Sequence, residues 1–328
     1  MENFKVGIIG AGHIARKMAH TLRDMEGVES YAVASRNLDN AEGFAREWGF
    51  TKAYGSYEEL ADDPQVGLIY IATPHSHHFE QARMCLDRGK PVLCEKAFTA
   101  NAREAEALIR LSERKKVFLT EAMWTRYMPF SHTLCELVNS GAIGHVMMLT
   151  ANIGYPMSEK ERIAKLELCG GALLDIGVYP INFAMMLFGS EITGITSACV
   201  KGETGVDLQS SITFVYRNHR IAVLGMSAFC ASDRQGIISG DNGYIIADNI
   251  NNPQQAVVYT INHEEVARYT CPPQITGFEY EVQESIDAIR RGEIETSSMP
   301  HAESLRVMRI LDDLRSEWDV KYPNDMMI

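Results

Sequence analysis

Residues 1–120 of this 328-residue chain alternate short apolar runs with segments of helical spacing. Apolar runs such as Lys5–Ile9 and Val66–Ala72 are each followed by a helical pattern, as in Ile14–Met25 and Ser76–Arg88. Continuous apolar strands separated by helices predict a parallel sheet that is covered on both faces. Because strand–helix–strand crossovers are right-handed, the pattern predicts an N-terminal, doubly wound sheet of the Rossmann type.

Beyond residue 122 the pattern changes to longer strand-like runs that follow one another. Such serial strands favour an antiparallel sheet in a second, α+β domain. We therefore predict two domains, residues 1–122 and residues 123–328. The predicted strands of the second domain include His145–Gly154, Ile192–Lys201, Leu208–Tyr216 and Arg220–Phe229. Its predicted helices are Gly171–Phe188, Glu279–Arg291 and His301–Trp318.

Charge and cysteine content limit the class of protein. The net charge of −12 argues against binding to a nucleic-acid backbone as the main activity. The seven cysteines are scattered and form no CxxC pair, which favours reduced thiols and a cytoplasmic location. The sequence shows no signal-peptide pattern and no uninterrupted apolar run of roughly 18 residues, so we expect no membrane association.

A glycine-rich turn joins the first predicted strand to the first predicted helix. Gly10 would allow a tight turn, Gly12 would let the backbone approach a pyrophosphate, and Ala15 is small enough for close helix–strand packing. The phosphates would lie at the helix N-terminus, on free N–H groups and the positive end of the dipole. The strand and helix context favours a dinucleotide site over a turn that serves packing alone.

The end of the second predicted strand indicates which dinucleotide binds. An Asp or Glu is expected there when the ribose carries a free 2′-hydroxyl. Ser35 and Arg36 stand there instead, a hydroxyl and a guanidinium suited to a 2′-phosphate. We therefore predict NADP(H) over NAD(H). The alternative is that Arg36 is a solvated loop residue.

Three further side chains suit proton transfer beside a hydride. Lys96 follows the Val92–Cys94 strand, at the carboxyl edge where ligands bind in such sheets. Asp175 and Tyr179 are four residues apart, so an α-helix beginning near Asp175 would place both on one face. A free Tyr has a pKa of about 10, and a nearby ammonium group would lower that pKa and make the phenol a better base. Asp175 could hold the substrate hydroxyl or orient the pair, and the alternative is a helix-terminal Asp beside a packed Tyr.

The loop after the Val66–Ala72 strand carries three histidines, in the sequence Thr73-Pro74-His75-Ser76-His77-His78. Three imidazoles invite a metal interpretation, but no carboxylate or Cys has convincing ligand spacing. Hydride transfer to a nicotinamide needs no metal. We predict no metal site, and a loop that lines the nicotinamide side with His78 starting the next helix.

These motifs resemble the glucose–fructose oxidoreductase/inositol dehydrogenase (Gfo/Idh/MocA) family over essentially the whole chain. That family combines a Rossmann domain with a Glu-Lys-Pro motif and an Asp-x-x-x-His motif, which here read Glu95-Lys96-Ala97 and Asp175-x-x-x-Tyr179. The tyrosine resembles the dimeric dihydrodiol dehydrogenase branch, which also includes NADP-dependent D-xylose dehydrogenases. Three longer strings match that branch: Glu121–Tyr127, Gly170–Gly177 and Glu203–Asp207.

The resemblance implies catalysis by Lys96 and Tyr179, with Asp175 in the substrate site. It also implies an open, mostly antiparallel sheet in the second domain, and a homodimer or higher homo-oligomer formed through that sheet. We expect a sugar or a cyclic vicinal diol as the substrate, contacted by Trp124, Asp175, Tyr179 and Phe278. The predicted cofactor contacts are Gly10, Gly12, His13, Ile14, Ser35, Arg36, Thr73, His75, His78, Glu95, Lys96, Trp124 and Arg126.

Ala97 departs from the family pattern, which has proline there. A Lys–Ala bond reaches the cis form less readily than a Lys–Pro bond, by roughly 2 kcal/mol or more, so the lysine could shift and the level of activity is in question. Two other functions stay open: a non-catalytic dinucleotide-binding regulator or scaffold, and a reductase of a ketose, an imine or another conjugated carbonyl. Lys96, Asp175 and Tyr179 together favour an enzyme, because a sensor has no need of all three.

Overall fold

A computed structural model describes residues 3–326 of the chain. Their contacts divide the chain into two compact units. The first unit runs to Tyr127 and also takes in Gln274–Arg309, while the second comprises Met128–Pro273 and the chain from Ile310 onwards. The predicted domains, 1–122 and 123–328, stay a prediction, and they differ from these units in the assignment of Gln274–Arg309.

The segment Gln274–Arg309 groups with the first unit because its hydrogen bonds lead there. The N–H of Leu119 donates to the carbonyl of Ile294 at 2.9 Å. The hydroxyls of Thr21 and Thr276 lie 2.6 Å apart. The sequence pattern alone does not predict these contacts, since they join residues that are far apart along the chain.

The structure has strands and helices with the following bounds. The strands are β1 Phe4–Ile9, β2 Val28–Ala34, β3 Lys52–Tyr54, β4 Leu68–Ile71, β5 Val92–Glu95, β6 Leu119–Ala122, β7 Val146–Gly154, β8 Ile192–Lys201, β9 Asp207–Tyr216, β10 Ile221–Ser227, β11 Gly236–Gly240, β12 Gly243–Ala247, β13 Gln255–Thr260 and β14 Glu265–Thr270. The α-helices are α1 His13–Asp24, α2 Leu38–Trp48, α3 Tyr57–Asp62, α4 His75–Asp87, α5 Ala102–Lys115, α6 Pro129–Asn139, α7 Glu161–Ala164, α8 Val178–Phe188, α9 Glu279–Arg291 and α10 His301–Glu317.

The first unit is built on a parallel sheet of six strands in the order β3-β2-β1-β4-β5-β6. This order confirms the predicted doubly wound sheet, whose strand order reverses beside β1. Strands β4 and β5 are buried along their whole length, as their continuous apolar runs predicted. The short elements β3 and α3 were not predicted, because three and six residues carry too little periodicity to read.

The second unit is built on an eight-stranded sheet in the order β14-β13-β12-β11-β7-β10-β9-β8. Strands β7 and β10 pair in parallel, and the other neighbours pair antiparallel. The prediction of a mostly antiparallel sheet is therefore confirmed. The sequence prediction did not name β11 to β14, which are short and partly bounded by glycines.

One helical stretch of the described chain, Leu166–Phe188, has the length and composition of a membrane span, with a mean hydropathy of 1.5 over its most apolar part. Of that part, 94% is buried inside the protein, as in a core helix. The sequence prediction counted only uninterrupted apolar residues and therefore passed over this stretch. Its middle is a π-helical turn, Leu173–Gly177, which leads directly into α8.

Candidate active site

The glycine turn between β1 and α1 has the geometry that its sequence predicted. Gly10 has a φ of +102°, and a side chain there would meet the carbonyl oxygen of Ala72 at 2.8 Å. Gly12 caps α1 and has open space where a side chain would begin. Ala15 is fully buried against the sheet. This turn therefore leaves room at the helix N-terminus for a phosphate.

A cavity of about 610 Å³ lies beside this turn. Its lining includes five of the predicted cofactor contacts: Gly10, Gly12, Ser35, Arg36 and Thr73. Arg36, two residues beyond the end of β2, lines this cavity together with Tyr57 and Asp39, and its charge acts on the Tyr57 hydroxyl. Such a cavity, with a glycine cradle at one end and a guanidinium at the other, fits the phosphates and adenosine of a dinucleotide.

Across this cavity, Arg16 and Glu47 form an ion pair that the sequence prediction did not include. The two side chains meet at 2.5 Å, and the Arg16 guanidinium also lies over the ring of Phe44. Their position could have been found from the helix register, because Arg16 is one turn beyond Gly12 on α1.

The histidines after β4 are held inside the first unit. Helix α4 begins at His75, one residue before the predicted helical segment Ser76–Arg88 and three residues before His78, so the prediction that His78 starts the helix was wrong. His78 is fully buried, and its ring nitrogens lie 2.9 Å from the carbonyl oxygens of Ala97 and Thr73. Burial lowers the pKa of His78 to about 4. His78 therefore ties the loop after β4 to the loop after β5, and its role as a cofactor contact stays a prediction.

Glu95 and Lys96 lie at the carboxyl end of β5, as predicted. Glu95 is buried, and its carboxylate accepts hydrogen bonds from the Tyr70 hydroxyl and, at 3.1 Å, from the Lys96 N–H. Burial raises the pKa of Glu95, while the Lys96 ammonium and the Tyr70 hydroxyl oppose this shift. The peptide bond between Lys96 and Ala97 is cis.

Trp124 and Phe278 come together although 154 positions separate them. Their rings meet edge to face with centroids 4.9 Å apart. The ammonium of Lys17 lies 4.3 Å from the Trp124 centroid and 4.2 Å from the Phe278 centroid, so it binds both rings as a cation. Gly277 is required here, because a side chain would come within 2.7 Å of the Trp124 ring.

Arg126, a predicted cofactor contact, forms an ion pair with Glu303 at 3.3 Å. Nearby Glu121 is buried, and one of its oxygens accepts the N–H of Phe98 at 3.2 Å. Burial raises the pKa of Glu121 to about 7, opposed by Ser304 and Arg126. These contacts anchor Arg126 within the first unit.

In the second unit, Asp175 lies in the π-helical turn and Tyr179 in the first turn of α8. The prediction assumed a regular α-helix from Asp175 onwards, and this was wrong in the π turn. A π turn widens the helix and is frequent at functional sites. Here the π turn ends at Gly177, three residues before Pro180, whose ring would crowd the carbonyl of Ile176 in a regular helix.

Asp175 forms an ion pair with Arg162, which the sequence prediction missed. The two side chains meet at 2.7 Å, with Asp175 nearly buried and Arg162 about half exposed. Arg162 comes from the short helix α7, thirteen residues before Asp175. An exposed arginine in a charged segment gave no signal of this role.

Asp207 holds the start of the same helical stretch. Its carboxylate accepts the N–H of Leu173 at 2.6 Å, and burial raises the pKa of Asp207 to about 6. Gly171 has a φ of +117°, and a side chain there would collide with Asp207. The string Glu203–Asp207 therefore ends in the carboxylate that positions the turn carrying Asp175.

Comparisons with known proteins place the chain in a family. Residues 4–123 match the family model described as "Oxidoreductase family, NAD-binding Rossmann fold", and residues 131–246 match the "GFO/IDH/MocA C-terminal domain". The chain belongs to the Gfo/Idh/MocA family. Members of the family that resemble it include a trans-1,2-dihydrobenzene-1,2-diol dehydrogenase of Danio rerio, 34% identical over 97% of this chain and 98% of that protein. A D-xylose 1-dehydrogenase (NADP(+)) of Hypocrea jecorina is 32% identical over 97% of this chain and 93% of that protein.

Solved structures of this family share the fold. A 3-ketoreductase from Actinomadura kijaniata, in complex with NADP and TDP-benzene, superposes with a TM-score of 0.87 at 24% identity, over 96% of this chain and 98% of that one. An aldose–aldose oxidoreductase from Caulobacter crescentus gives a TM-score of 0.87 at 19% identity, over 97% and 98%. The chain is thus a Gfo/Idh/MocA oxidoreductase, an NAD(P)-dependent dehydrogenase or reductase.

Proposed function

We propose that this chain transfers a hydride between NADP(H) and a CH–OH carbon of a sugar or a cyclic vicinal diol. The observation that carries the proposal is the cavity beside the glycine turn, where Ser35 and Arg36 stand at the end of β2. Arg36 would pair with the 2′-phosphate and Ser35 would donate a hydrogen bond to it. The N–H groups at the start of α1 would bind the pyrophosphate.

Lys96 and Tyr179 are proposed as the acid–base pair. When bound, a nicotinamide supplies the chemistry of hydride acceptance and donation. In oxidation, Tyr179 takes the hydroxyl proton, and the positive charge of Lys96 favours the phenolate form of the base. Asp175, paired with Arg162, accepts a hydrogen bond from a neighbouring substrate hydroxyl.

The names of the similar proteins support this substrate class. One is named as a dehydrogenase of a cyclic vicinal diol and the other as an NADP(+) dehydrogenase of the sugar D-xylose. The same residues serve the reverse reaction, in which Tyr179 gives its proton to a carbonyl. The scattered cysteines suit a reducing compartment, so a cytoplasmic location belongs to the proposal.

The open face of the eight-stranded sheet supports a homodimer or a higher homo-oligomer. Ile221 on β10 lies directly between Met148 on β7 and Val215 on β9, and each of the three is about two-fifths exposed. Val223, two residues further along β10, continues this row. Large apolar side chains grouped on an open sheet favour coverage by a partner, here a second copy.

The cofactor assignment is tested by fluorescence titration with NADPH and NADH. We expect tighter binding of NADPH, and we expect Arg36→Ala to weaken it about 10- to 100-fold while leaving NADH binding nearly unchanged. Arg46→Ala is the matched control, since Arg46 is an exposed arginine on α2 that pairs with Glu42. Equal binding of the two cofactors by the unaltered chain would contradict the assignment to NADP(H).

The substrate class is tested by turnover of D-xylose, trans-dihydrodiols and related polyols with NADP⁺, and of the matching carbonyls with NADPH. Turnover that Tyr179→Phe removes while NADPH binding persists would support the acid–base proposal. Full turnover in Tyr179→Phe would refute it, and absence of turnover with every diol and sugar would move the substrate outside this class.

A further inference from the structure

Glu281 is a fully buried carboxyl group that the proposed reaction does not use. It lies on α9, three residues after Phe278, and it has no exposed surface. Neither of its oxygens has a hydrogen-bond partner among residues 3–326. Buried polar groups are nearly always paired, so an unpaired carboxyl calls for a functional explanation or for a proton on the carboxyl.

The charged and titratable groups that face Glu281 come from several elements. Glu95 on β5 and Lys17 on α1 act on it most strongly, followed by Glu279 on its own helix. The buried hydroxyl of Tyr127 also feels its charge. Burial and the neighbouring Glu95 raise the pKa of Glu281 well above its ordinary value, and Lys17 opposes this shift.

Glu95 and Glu281 differ in how well each can hold a negative charge. Glu95 accepts hydrogen bonds from Tyr70 and from the Lys96 N–H, which stabilise its ionised form. Glu281 has no such donors among residues 3–326, so of these two carboxyls it is the one that holds a proton more readily. Lys17 is desolvated between Trp124 and Phe278, and its positive charge acts on both carboxyls.

The nicotinamide ring of a bound dinucleotide would lie near Lys17, Glu95 and Glu281, and the charge of that ring differs between the oxidised and the reduced cofactor. With the pyrophosphate at the β1–α1 turn and the adenosine on the β2 side, the other half of the cofactor extends over the ends of β4 and β5. Glu95 and Lys96 are at that end of β5. The oxidised ring carries one more positive charge than the reduced ring, and in a low-dielectric surrounding that charge favours ionised carboxyls.

We propose that Glu281 binds and releases a proton in step with the charge of the nicotinamide, protonated beside the reduced cofactor and ionised beside the oxidised one. This inference rests on the proposed function, because it needs a nicotinamide at the strand edge. Glu281 takes up one proton from solvent when the ring loses its charge on reduction, and releases it when NADP⁺ replaces NADPH. The substrate's own proton goes to Tyr179, so a full cycle still yields carbonyl, NADPH and one proton.

The test is the ratio of the dissociation constants of NADP⁺ and NADPH, measured by titration between pH 5 and 9. Both cofactors carry the same 2′-phosphate, whose second pKa is about 6, so its titration cancels in the ratio. We expect the ratio for the unaltered chain to fall as pH rises, by up to tenfold per pH unit. We expect Glu281→Gln to bind both cofactors with a ratio that does not depend on pH.

Two further variants separate this role from a structural one. Asp287→Asn removes a surface carboxylate from the same helix and should keep the pH dependence of the unaltered chain. Lys17→Met should move the dependence to higher pH, because the carboxyl loses its neighbouring cation, and this variant serves if Glu281→Gln does not fold. A damaged fold alone would weaken both cofactors together and leave the slope of the ratio in place.

A pH-independent ratio in the unaltered chain, or an unchanged slope in Glu281→Gln, would overturn the inference and leave the proposed function standing. Failure to bind either cofactor at any pH would overturn the proposed function and this inference with it.

Discussion

Asp63 and Glu281 are two buried carboxyl groups of the first unit that differ in their hydrogen-bond donors and in the direction of their pKa shifts. Asp63 receives hydrogen bonds from the hydroxyls of Tyr31 and Tyr54 and from Lys52. Burial alone would raise the pKa of Asp63, but these donors hold it well below its ordinary value. Glu281 has no donor within the described chain, and its pKa is raised.

The contrast teaches what a carboxyl does in this unit. Asp63 follows α3, where its partners Lys52 and Tyr54 belong to the edge strand β3, so its ionised form binds that edge to the rest of the sheet. The Glu281 carboxyl makes no hydrogen bond among residues 3–326, and its burial costs free energy that the ionised form cannot recover. A buried group that stabilises nothing is better explained by a role in the reaction than by a role in folding.

The largest expected difference concerns two lysines of the first unit, Lys96 beside the buried Glu95 and Lys52 beside Asp63. Lys96→Met should lower kcat by about a hundred- to ten-thousand-fold, because it removes the cation that favours the Tyr179 phenolate. Lys52→Met should leave kcat unchanged and lower the melting temperature, since the Lys52 ammonium pairs with Asp63 and lies over the Tyr31 ring, contacts that belong to the fold. Steady-state kinetics and thermal unfolding measure both, and a loss of turnover in Lys52→Met would break the comparison.

The next difference is in stability. Asp63→Ala should lower the free energy of unfolding by about 3 kcal/mol, because buried donors lose their acceptor. Glu281→Gln should leave that free energy unchanged or raise it, since a neutral amide replaces a carboxyl without partners. Urea unfolding at pH 7 measures both changes.

The two carboxyls should also respond to pH with opposite signs. Asp63 has a lowered pKa, so the stability it gives is present above its ordinary value of 3.8 and is lost as the pH falls below it. The raised pKa of Glu281 means that the folded chain holds a proton that the unfolded chain releases above 4.5, so stability falls as the pH rises through that value. Glu281→Gln should therefore gain stability over the unaltered chain as the pH rises above 4.5. A constant difference would contradict the raised pKa.

A third carboxyl, Asp175 of the second unit, can be compared with Asp63 and Glu281, and the effect expected from changing its partner is smaller. It is nearly buried, but its partner Arg162 is half exposed, so the pair can open toward a ligand. Arg162→Gln should raise KM for a polyol about tenfold with little change in kcat, because Asp175 loses the cation that pairs with it and holds its carboxylate in place. Arg162→Lys should recover part of this loss. Lys165→Gln, on an exposed lysine that pairs with Glu161, is the control and should leave KM unchanged.

How much of the fold was predictable from sequence depends on the length of each element. The helix Glu279–Arg291 was predicted with the bounds that the structure has, because its apolar stripe runs for more than three turns. The β3 strand and the π turn were not predicted, because the strand has only three residues and the π turn differs from a regular α-helix by one inserted residue. Hydrophobic periodicity detects a spacing that repeats along the chain, so it does not detect a single widened turn.

The candidate site was predictable where a motif fixed the backbone, as at Gly10 and Gly12. It was not predictable where a contact joins distant segments, as Lys17 does with Trp124 and Phe278. One signal for Glu281 was present. This acid stands in the stripe of α9 that also carries Phe278 and Val282, where an apolar residue is expected, and a charge in a buried stripe is a reason to look for a role.

The order of segments along the chain also bears on how the protein is made. Met128–Pro273 stands between two stretches that belong to the first unit. During synthesis the β-strands of the first unit are therefore made early. The N–H of Leu119 can bind the carbonyl of Ile294 only after residue 294 has been made. A nascent chain that ends shortly before residue 274 would contain all six strands of the parallel sheet but would lack helix α9. The first unit, most of whose chain is made before the second unit, is thus completed only after Met128–Pro273 has been made.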